Sequence, residues 1–354
     1  MTNRIKVLEI ISDTNFGGAG QYLKTLDSNI DRDVFDMIIV TPVESILHKH
    51  IKNSRLIQVP SIQDKSFSLK GTRALYKVIK DERPDIVHTH GSLSGRLAAQ
   101  ITRTKKVIYT KHTLSDNSNK YKRFIKKIMN KLVRSKVIAV SNAVVDNLIE
   151  EGVKETSIKR IYNGVEPSSV IPYDTEEGKV VISLVGRLEW IKGPDHMIRI
   201  AELLKNRSSI PFKILMVGEG SLKEELEETV KLKELPIDLL GHVDDIEWVY
   251  QKSDIIVNTS RSEALSFVAL EAFAHGRPVV AFNLPGIKEV IADSIDGYLV
   301  KYEDYEAFTD RLMVLMASKE KRVRMGMNGR KKTRDHFTIH QMVKETEAFY
   351  REGL

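Results

Sequence analysis

Short runs of apolar residues alternate with longer stretches of mixed polarity along the whole chain. In the first half these runs are Ile5–Ile11, Met37–Thr41, Ile86–His88, Val107–Thr110 and Val137–Val140. The stretches between them carry apolar residues at helical spacing, as amphipathic helices do. Runs that are apolar throughout are typical of strands buried on both faces. The pattern therefore predicts a parallel sheet with helices on both sides.

A second series of the same kind follows in the second half of the chain. Its runs are Val180–Val185, Phe212–Val217, Ile237–Leu240, Ile255–Asn258 and Pro278–Phe282. Between the two series, residues 166–178 hold prolines, serines and a glycine, as linkers do. The sequence thus predicts an α/β protein of two doubly wound, Rossmann-like domains, at 1–170 and 171–354.

Two helices of the second half have local signals of their own. Ser221 and Glu224 have the spacing of a capping box, which predicts a helix that runs to about Leu232. The tail at 338–350 is helical in pattern and lies beyond the last strand of its domain. It could pack on either domain.

Composition excludes several classes of protein. The 354 residues are 42% hydrophobic and 29% charged, with no cysteine. Disulfides, thiolate zinc sites, iron–sulfur clusters and a cysteine nucleophile are therefore excluded. The apolar run at the start of the chain reaches Asp13 almost at once, and no other run approaches the roughly 20 residues that span a bilayer. We expect a cytoplasmic protein.

The net charge of +7 is unevenly distributed. Residues 1–172 hold 29 Lys and Arg against 17 Asp and Glu, whereas residues 173–354 hold 26 against 31. Twelve of the basic residues lie within 101–136, beside a single acid, Asp116. Such a surface calls for an anionic partner.

The segment 120–134, KYKRFIKKIMNKLVR, is the amphipathic part of this basic region. Its apolar residues recur at the spacing of one helix face and its basic residues fill the rest. We expect the apolar face to cover the first sheet. The basic face, with Arg103, Lys105 and Lys106, would draw the domain to an anionic membrane surface or a phosphorylated, lipid-linked acceptor. The protein would then lie at the inner face of the membrane.

Two glutamates, Glu263 and Glu271, stand eight residues apart in the segment SEALSFVALEAFAHG. Alone, this spacing favours two solvent-facing acids on an ordinary helix. If the helix begins near Leu265, Glu263 lies in the loop at its start and the two acids are about 12 Å apart, roughly the reach from a sugar to the ribose of its nucleotide. The free amides of Leu265, Ser266 and Phe267 would then point at the diphosphate between them.

A second cluster follows the first strand of the second domain, where VGRLEWIKG places Arg187 and Lys192. Ligands of open α/β sheets bind outside the carboxyl ends of the strands. Two cations there suit a diphosphate, because they neutralise both its charge and the charge that grows as it leaves. The pair alone is equally compatible with two solvated loop residues.

Taken in order, these motifs resemble those of the retaining glycosyltransferases of family 4. The resemblance covers nearly the whole chain. It also includes Gly17 and Gly18 after the first strand, PDIVHTHG at 84–91, TKHT at 110–113, AVSNA at 139–143 and YNGV at 162–165. The family implies the GT-B fold, in which two Rossmann-like domains face each other across a cleft.

The chain departs from the family pattern at a few positions. Ala264 and Ser266 replace glycines that are common beside the first glutamate, and LPGIKEV at 284–290 lacks a frequent double glycine. These departures bear on the donor sugar more than on the fold.

The resemblance implies a nucleoside-diphosphate sugar as donor, with UDP the commonest nucleotide, and a sugar or lipid-linked hydroxyl as acceptor. Arg187 and Lys192 would hold the donor diphosphate. The amides of Gly17 and Gly18 would approach it from the other domain. The positive charge of Arg187, Lys192 and the start of the helix near Leu265 makes a divalent metal unnecessary, and we expect neither a metal nor a cofactor.

The family also implies roles at the two ends of the donor. Glu271 would bind the ribose and Glu263 the hydroxyls of the transferred sugar. His112 would face that sugar near its anomeric carbon and 6-hydroxyl. The reaction would retain the anomeric configuration by front-face displacement, without a protein nucleophile, although two carboxylates at a sugar also suit glycoside hydrolysis.

His88 and His90 form an H-x-H pattern that could bind a metal. Residues two apart on a strand share a face, so the spacing is compatible with one. No third ligand is visible in the sequence. We interpret both histidines as structural, with His90 near the acceptor.

Three other functions compete with the transferase. A dinucleotide-dependent oxidoreductase is disfavoured because FGGAGQYL lacks the third glycine of its fingerprint and the second strand ends without an acid. A sugar-nucleotide epimerase of the same architecture would bind the same donor but need no acceptor. A nucleic-acid-binding protein would need more aromatic residues in the basic stretch. Free nucleoside diphosphate and an epimerised sugar are the products that distinguish these functions.

Overall fold

The computed structural model of the chain describes residues 4–168 and 178–354, which form two compact units. The first unit comprises residues 1–163 and 339–354, and the second comprises residues 164–338. The division between Asn163 and Gly164 precedes the predicted boundary at residue 170. Ser169 and Pro172 of the predicted linker lie outside the described residues.

Within its described residues, the first unit contains a seven-stranded parallel sheet in the order β3-β2-β1-β4-β5-β6-β7. The strands are β1 (Ile5–Ile11), β2 (Phe35–Thr41), β3 (Arg55–Gln58), β4 (Ile86–His90), β5 (Lys106–Lys111), β6 (Lys136–Ala139) and β7 (Ile158–Arg160). The helices are α1 (Gly18–Asn29), α2 (Leu69–Glu82), α3 (Leu93–Ile101), α4 (Lys120–Leu132) and α5 (Asn142–Glu150). The order reverses between β1 and β4, which is the switch point where ligands of such sheets bind.

The second unit repeats this plan with a six-stranded parallel sheet in the order β10-β9-β8-β11-β12-β13, counted over the same described ranges. The strands are β8 (Val180–Val185), β9 (Phe212–Val217), β10 (Ile237–Gly241), β11 (Ile255–Asn258), β12 (Val279–Phe282) and β13 (Gly297–Val300). The helices are α6 (Pro194–Arg207), α7 (Lys223–Leu232), α8 (Ile246–Lys252), α9 (Phe267–Ala274), α10 (Tyr305–Met316) and α11 (Lys319–His336). The switch point lies between β8 and β11. The prediction of two doubly wound parallel sheets is confirmed.

The last helix, α12 (Ile339–Arg351), belongs to the first unit although it follows the second in sequence. Met342, Val343, Phe349 and Tyr350 are buried in the same apolar cluster as residues of β1, β2 and α1. The helix therefore completes the core of the first unit.

The capping box predicted for α7 is wrong. The helix ends at Leu232 as predicted, but it begins at Lys223, and its N-cap residue Leu222 makes no side-chain cap. Ser221 instead donates to both carboxylate oxygens of Glu189, from its amide at 2.9 Å and from its hydroxyl at 2.7 Å. Ser221 thus pairs with Glu189, which is distant in sequence, and not with the start of its own helix.

Helix α4 also departs from its prediction, because none of its residues is buried. Its apolar side chains face solvent: Tyr121 is 73% exposed, Phe124 60% and Leu132 62%. The helix is attached through its polar side. Lys126 Nζ lies 2.8 Å from Glu151 Oε1, and Asn130 donates to the Glu151 carbonyl at 3.1 Å. The apolar face that we expected to cover the sheet is thus unpartnered within the described part of the chain.

Between residues 4 and 168 and between 178 and 354, no helix combines the length and the apolar content needed to cross a membrane.

Candidate active site

Two loops of the second unit are joined at the carboxyl ends of β8 and β11. Thr259 donates from its hydroxyl to the Gly193 carbonyl at 2.8 Å, and the Arg261 amide donates to the Ile191 carbonyl at 2.9 Å. Gly193 has φ +62°, and a Cβ there would lie 2.2 Å from the Thr259 carbonyl oxygen. Only glycine permits this approach, so the sequence of the first loop fixes its contact with the second.

Lys192 and Glu263 meet where these loops join. Lys192 Nζ lies 2.6 Å from Glu263 Oε1, and the Glu263 side chain is buried. The same oxygen accepts from the Ser260 hydroxyl at 2.8 Å and from the Asn258 amide at 3.4 Å. These three donors orient the carboxylate through one oxygen. The second oxygen is the one that can accept a hydrogen bond from a ligand.

The backbone beneath Glu263 is also held by a close approach. A Cβ at Gly286 would lie 2.3 Å from the carbonyl oxygens of Glu263 and Ala264. The single glycine of LPGIKEV therefore has a packing role at this site. Any larger residue there would push the Glu263 backbone out of place.

Arg187 lies in the same loop as Lys192 and is exposed. The bonds from Ser221, and then the charge of Arg187, hold the pKa of Glu189 below its usual value. The guanidinium thus lies at a solvent-facing point near the carboxyl end of β8, where an anionic ligand can reach it.

Helix α9 begins two residues later than predicted. Its first residue is Phe267, and Ser266 is the N-cap, whose hydroxyl accepts from the Ala269 amide. Leu265 precedes the helix, so only the second half of the stretch from Glu263 to Glu271 is helical. The estimate of about 12 Å from helical rise therefore does not apply.

Glu271 lies on α9, as predicted. Tyr250 of α8 donates a hydrogen bond from its hydroxyl to Glu271 Oε2 at 2.6 Å. Burial, and then the charge of Glu271, hold the pKa of Tyr250 well above its usual value, so the tyrosine stays the donor. This bond fixes one carboxylate oxygen.

In the first unit, His88 and His90 of β4 lie beside Glu9 of β1. His88 Nδ1 lies 3.1 Å and His90 Nε2 3.0 Å from Glu9 Oε2, and all three side chains are buried. Tyr350 of α12 donates to Glu9 Oε1 at 2.5 Å. Burial would raise the pKa of Glu9, but the two histidines outweigh it and hold that pKa well below its usual value.

Glu9 supplies the third possible metal ligand, which was not visible in the sequence. The donor atoms of Glu9, His88 and His90 lie within 4.8 Å of one another, a spacing that a metal ion could use. Each of these groups, however, already has a hydrogen-bond partner inside the cluster. The interpretation of the two histidines as structural remains a prediction.

His112 follows β5 and is joined to this cluster. Its Nε2 lies 2.8 Å from His90 Nδ1, and the two rings stack with centroids 5.1 Å apart. Burial lowers the pKa of His90 to about 4. Burial, and then the neighbouring His90 and His88, hold the pKa of His112 well below its usual value. Both rings are thus neutral near neutral pH.

Gly17 and Gly18 lie at the start of α1, with Gly17 as N-cap. A Cβ at Gly17 would meet no atom within 4 Å. Its surroundings therefore leave open space at the helix start, where backbone amides are available to an anion.

The structure joins some of the predicted site residues and adds others. It joins Lys192 to Glu263 directly and Ser266 to Glu263 through Asn258. Gly17, Gly18 and His112 belong to the first unit and the others to the second. The sequence reasoning missed Glu9, Asn258, Ser260 and Tyr250. Two had a signal: Glu9 is an acid inside an apolar strand, and Asn258 is the polar last residue of one.

Both halves of the chain match models of known protein families. Residues 16–169 match the model of Glycosyltransferase Family 4, and residues 171–332 match that of Glycosyl transferases group 1. An Escherichia coli UDP-Gal:alpha-D-GlcNAc-diphosphoundecaprenol alpha-1,3-galactosyltransferase is 28% identical over 80% of this chain and 79% of its own length. A Campylobacter jejuni alpha-1,4-N-acetyl-D-galactosaminyltransferase, whose name gives a lipid-linked GalNAc-alpha-(1->4)-GalNAc-alpha-(1->3)-diNAcBac-PP-undecaprenol, is 25% identical over 95% and 96%.

Solved structures show the same fold. The Anabaena protein HepE in complex with UDP superposes with a TM-score of 0.79, at 18% identity, over 98% of this chain and 99% of its own. A glycosyltransferase from Rickettsia africae gives a TM-score of 0.81, at 24% identity, over 99% of both chains. From its motifs, its two sheets and these matches, the chain belongs to the family 4, group 1 glycosyltransferases and has the GT-B fold.

Proposed function

We propose that the protein transfers a hexose from a UDP-sugar to a lipid-linked hydroxyl acceptor with retention of configuration. The contact of Lys192 with the buried Glu263 carries this proposal. It places a cation and an oriented carboxylate at the strand ends where a sugar diphosphate would bind. The lipid-linked sugars in the names of the E. coli and C. jejuni relatives support the acceptor class.

In the proposed site, the chain binds the donor from both ends. Arg187 and Lys192 neutralise the diphosphate, Glu271 accepts from the ribose hydroxyls and Glu263 accepts from hydroxyls of the sugar. The bond from the anomeric carbon to the diphosphate breaks as the bond to the acceptor oxygen forms on the same face. The acceptor proton passes to the departing diphosphate oxygen. The two cations stabilise the charge that develops there.

The direct test is incubation with UDP-hexoses and a polyprenyl-diphosphate-linked sugar. We expect release of UDP, together with an elongated lipid whose new linkage has the anomeric configuration of the donor by NMR. An inverted linkage would refute retention. Conversion of the donor to an epimer without elongation would favour the epimerase.

We expect Glu271→Ala and Glu263→Ala to separate binding from turnover. Glu271→Ala should weaken UDP binding about tenfold to a hundredfold, because it removes hydrogen bonds to a charged acceptor. Glu263→Ala should chiefly lower turnover of the UDP-sugar. Calorimetry with free UDP measures the first effect and steady-state kinetics the second. Tyr250→Phe, which removes only the support of Glu271, should weaken UDP binding less than Glu271→Ala does.

The placement of the two acids along the donor would be wrong if Glu263→Ala weakened UDP binding as much as Glu271→Ala. Circular dichroism of both variants is the necessary control, because Glu263 is buried and its loss leaves Lys192 without this partner.

We also propose that α4 docks the first unit onto an anionic membrane. Six of its thirteen residues are basic and none is acidic. The exposed side chains of Tyr121, Phe124 and Leu132 add an apolar face that can enter the lipid interface. Basic residues near an anionic surface contribute about 1 kcal/mol each.

The structure narrows the set of basic residues that can take part. Lys106 is buried and donates to carbonyls at the end of α12, including that of Tyr350 at 3.3 Å, so its predicted place on the membrane surface is wrong. Lys105 pairs with Asp85 at 2.7 Å. Lys126 attaches the helix to Glu151. The proposed binding surface is therefore the outer part of α4 together with Arg103, which is exposed.

We expect the protein to co-sediment with vesicles of phosphatidylglycerol and phosphatidylcholine, and the bound fraction to fall in high salt. Lys122→Gln with Lys127→Gln, and separately Phe124→Ser with Leu132→Ser, should each reduce binding several-fold. The control is Lys77→Gln with Lys80→Gln, on the exposed side of α2. Equal binding to neutral vesicles, or an equal loss in the control, would refute the proposal.

A further inference from the structure

A chain of hydrogen bonds connects the buried carboxylate of Glu9 to His112. Glu9 Oε2 lies 3.0 Å from His90 Nε2, and His90 Nδ1 lies 2.8 Å from His112 Nε2. Glu9 and His90 are fully or almost fully buried. The residues come from β1, from β4 and from the loop after β5, so three neighbouring strands fix the geometry.

The position of the proton in each hydrogen bond of this chain determines its position in the next. An ionised carboxylate only accepts, so His90 Nε2 must carry the proton that it shares with Glu9. A neutral imidazole has one donor and one acceptor, and His90 Nδ1 is therefore the acceptor. His112 Nε2 must then donate to it, which leaves His112 Nδ1 as a bare lone pair.

That lone pair is not used within the described part of the chain. His112 Nδ1 is buried and has no hydrogen-bond partner there. The rest of the side chain is half-buried. A hydroxyl that enters beside the ring would supply the missing donor, and an unmet buried acceptor makes that bond favourable.

We propose that Glu9 and His90 are positioning residues for His112, holding it as the Nε2–H tautomer so that Nδ1 can accept a hydrogen bond from a sugar hydroxyl. The sugar's identity as the ligand rests on the proposed function. The tautomer itself does not, and it can be measured on the free protein.

Tyr350 offers a matched comparison, because it also donates to Glu9 but lies off the path to His112. It contacts Oε1, whereas His90 contacts Oε2. His90→Phe and Tyr350→Phe each remove one hydrogen bond from the same carboxylate and leave an aromatic ring in the core. Only His90→Phe breaks the chain to His112.

The experiment is NMR of histidine ring nitrogens in the full chain near neutral pH, with His112→Gln used for assignment. We expect wild type and Tyr350→Phe to show His112 protonated at Nε2 only, and His90→Phe to show a mixture of both tautomers. A wild-type ring protonated at Nδ1, or an unmixed Nε2–H tautomer in His90→Phe, would overturn the proposal. A changed spectrum after chelator treatment would also overturn it, by showing that Glu9, His88 and His90 hold a metal.

The kinetic arm separates this proposal from the proposed function. With a UDP-sugar and acceptor, His90→Phe should lower kcat about 10- to 100-fold, the effect of a misplaced contact, with UDP affinity unchanged. Tyr350→Phe should remain within a few-fold of wild type once matched for melting temperature. If both variants lose activity equally, the positioning role is refuted. If wild type transfers no sugar but shows the predicted tautomer, only the proposed function fails.

Discussion

Arg187→Ala and Lys192→Ala are each expected to lower kcat/KM for the UDP-sugar by about 30- to 1000-fold, with the fold intact. Each removes a charge-assisted contact to the departing diphosphate, a loss of about 2 to 4 kcal/mol in the transition state. Arg187 is exposed and Lys192 half-buried, so neither change opens a cavity in the core. Steady-state kinetics with thermal unfolding as a parallel measurement tests the expectation.

Lys231→Ala provides the matched control, because Lys231 is an exposed lysine of the same unit in the last turn of α7. It should leave kcat/KM unchanged. Near-normal turnover in both Arg187→Ala and Lys192→Ala would refute the proposal that this loop binds the diphosphate. If Glu263→Ala lowers kcat/KM as much as Lys192→Ala does, and the double variant loses no more than either single variant, the two residues act as one pair.

The strands of the two sheets show why much of the fold could be predicted. β8, β9 and β11 have the predicted bounds, because each is a central, largely buried strand whose residues are mostly apolar. β3, β7 and β13 were missed. They are strands of three or four residues at sheet edges, and such short runs have too few residues for a period to appear.

The site was predictable only where a motif marks it. Lys192 and Glu263 stand in motifs, and the structure brings them into contact. Glu9 and His90 are joined only by the pairing of β1 with β4, across 81 residues of sequence. Periodicity likewise gave the two faces of α4 but not which of them packs. The contacts with Glu151 reversed the expected order.

Phe349→Ala is expected to destabilise the first unit by about 3 to 5 kcal/mol, the cost of truncating a buried phenylalanine. Phe349 is 6% exposed and packs in the cluster that β1 and α1 share with α12. Hydrogen exchange should accelerate in β1 and α1, more than in β8 and β11. Phe308→Ala is the mirror control, because Phe308 is fully buried in α10, and it should accelerate exchange in the second unit. Since the helix follows all of the second unit in sequence, exchange that rose first in β8 would contradict its assignment to the first core.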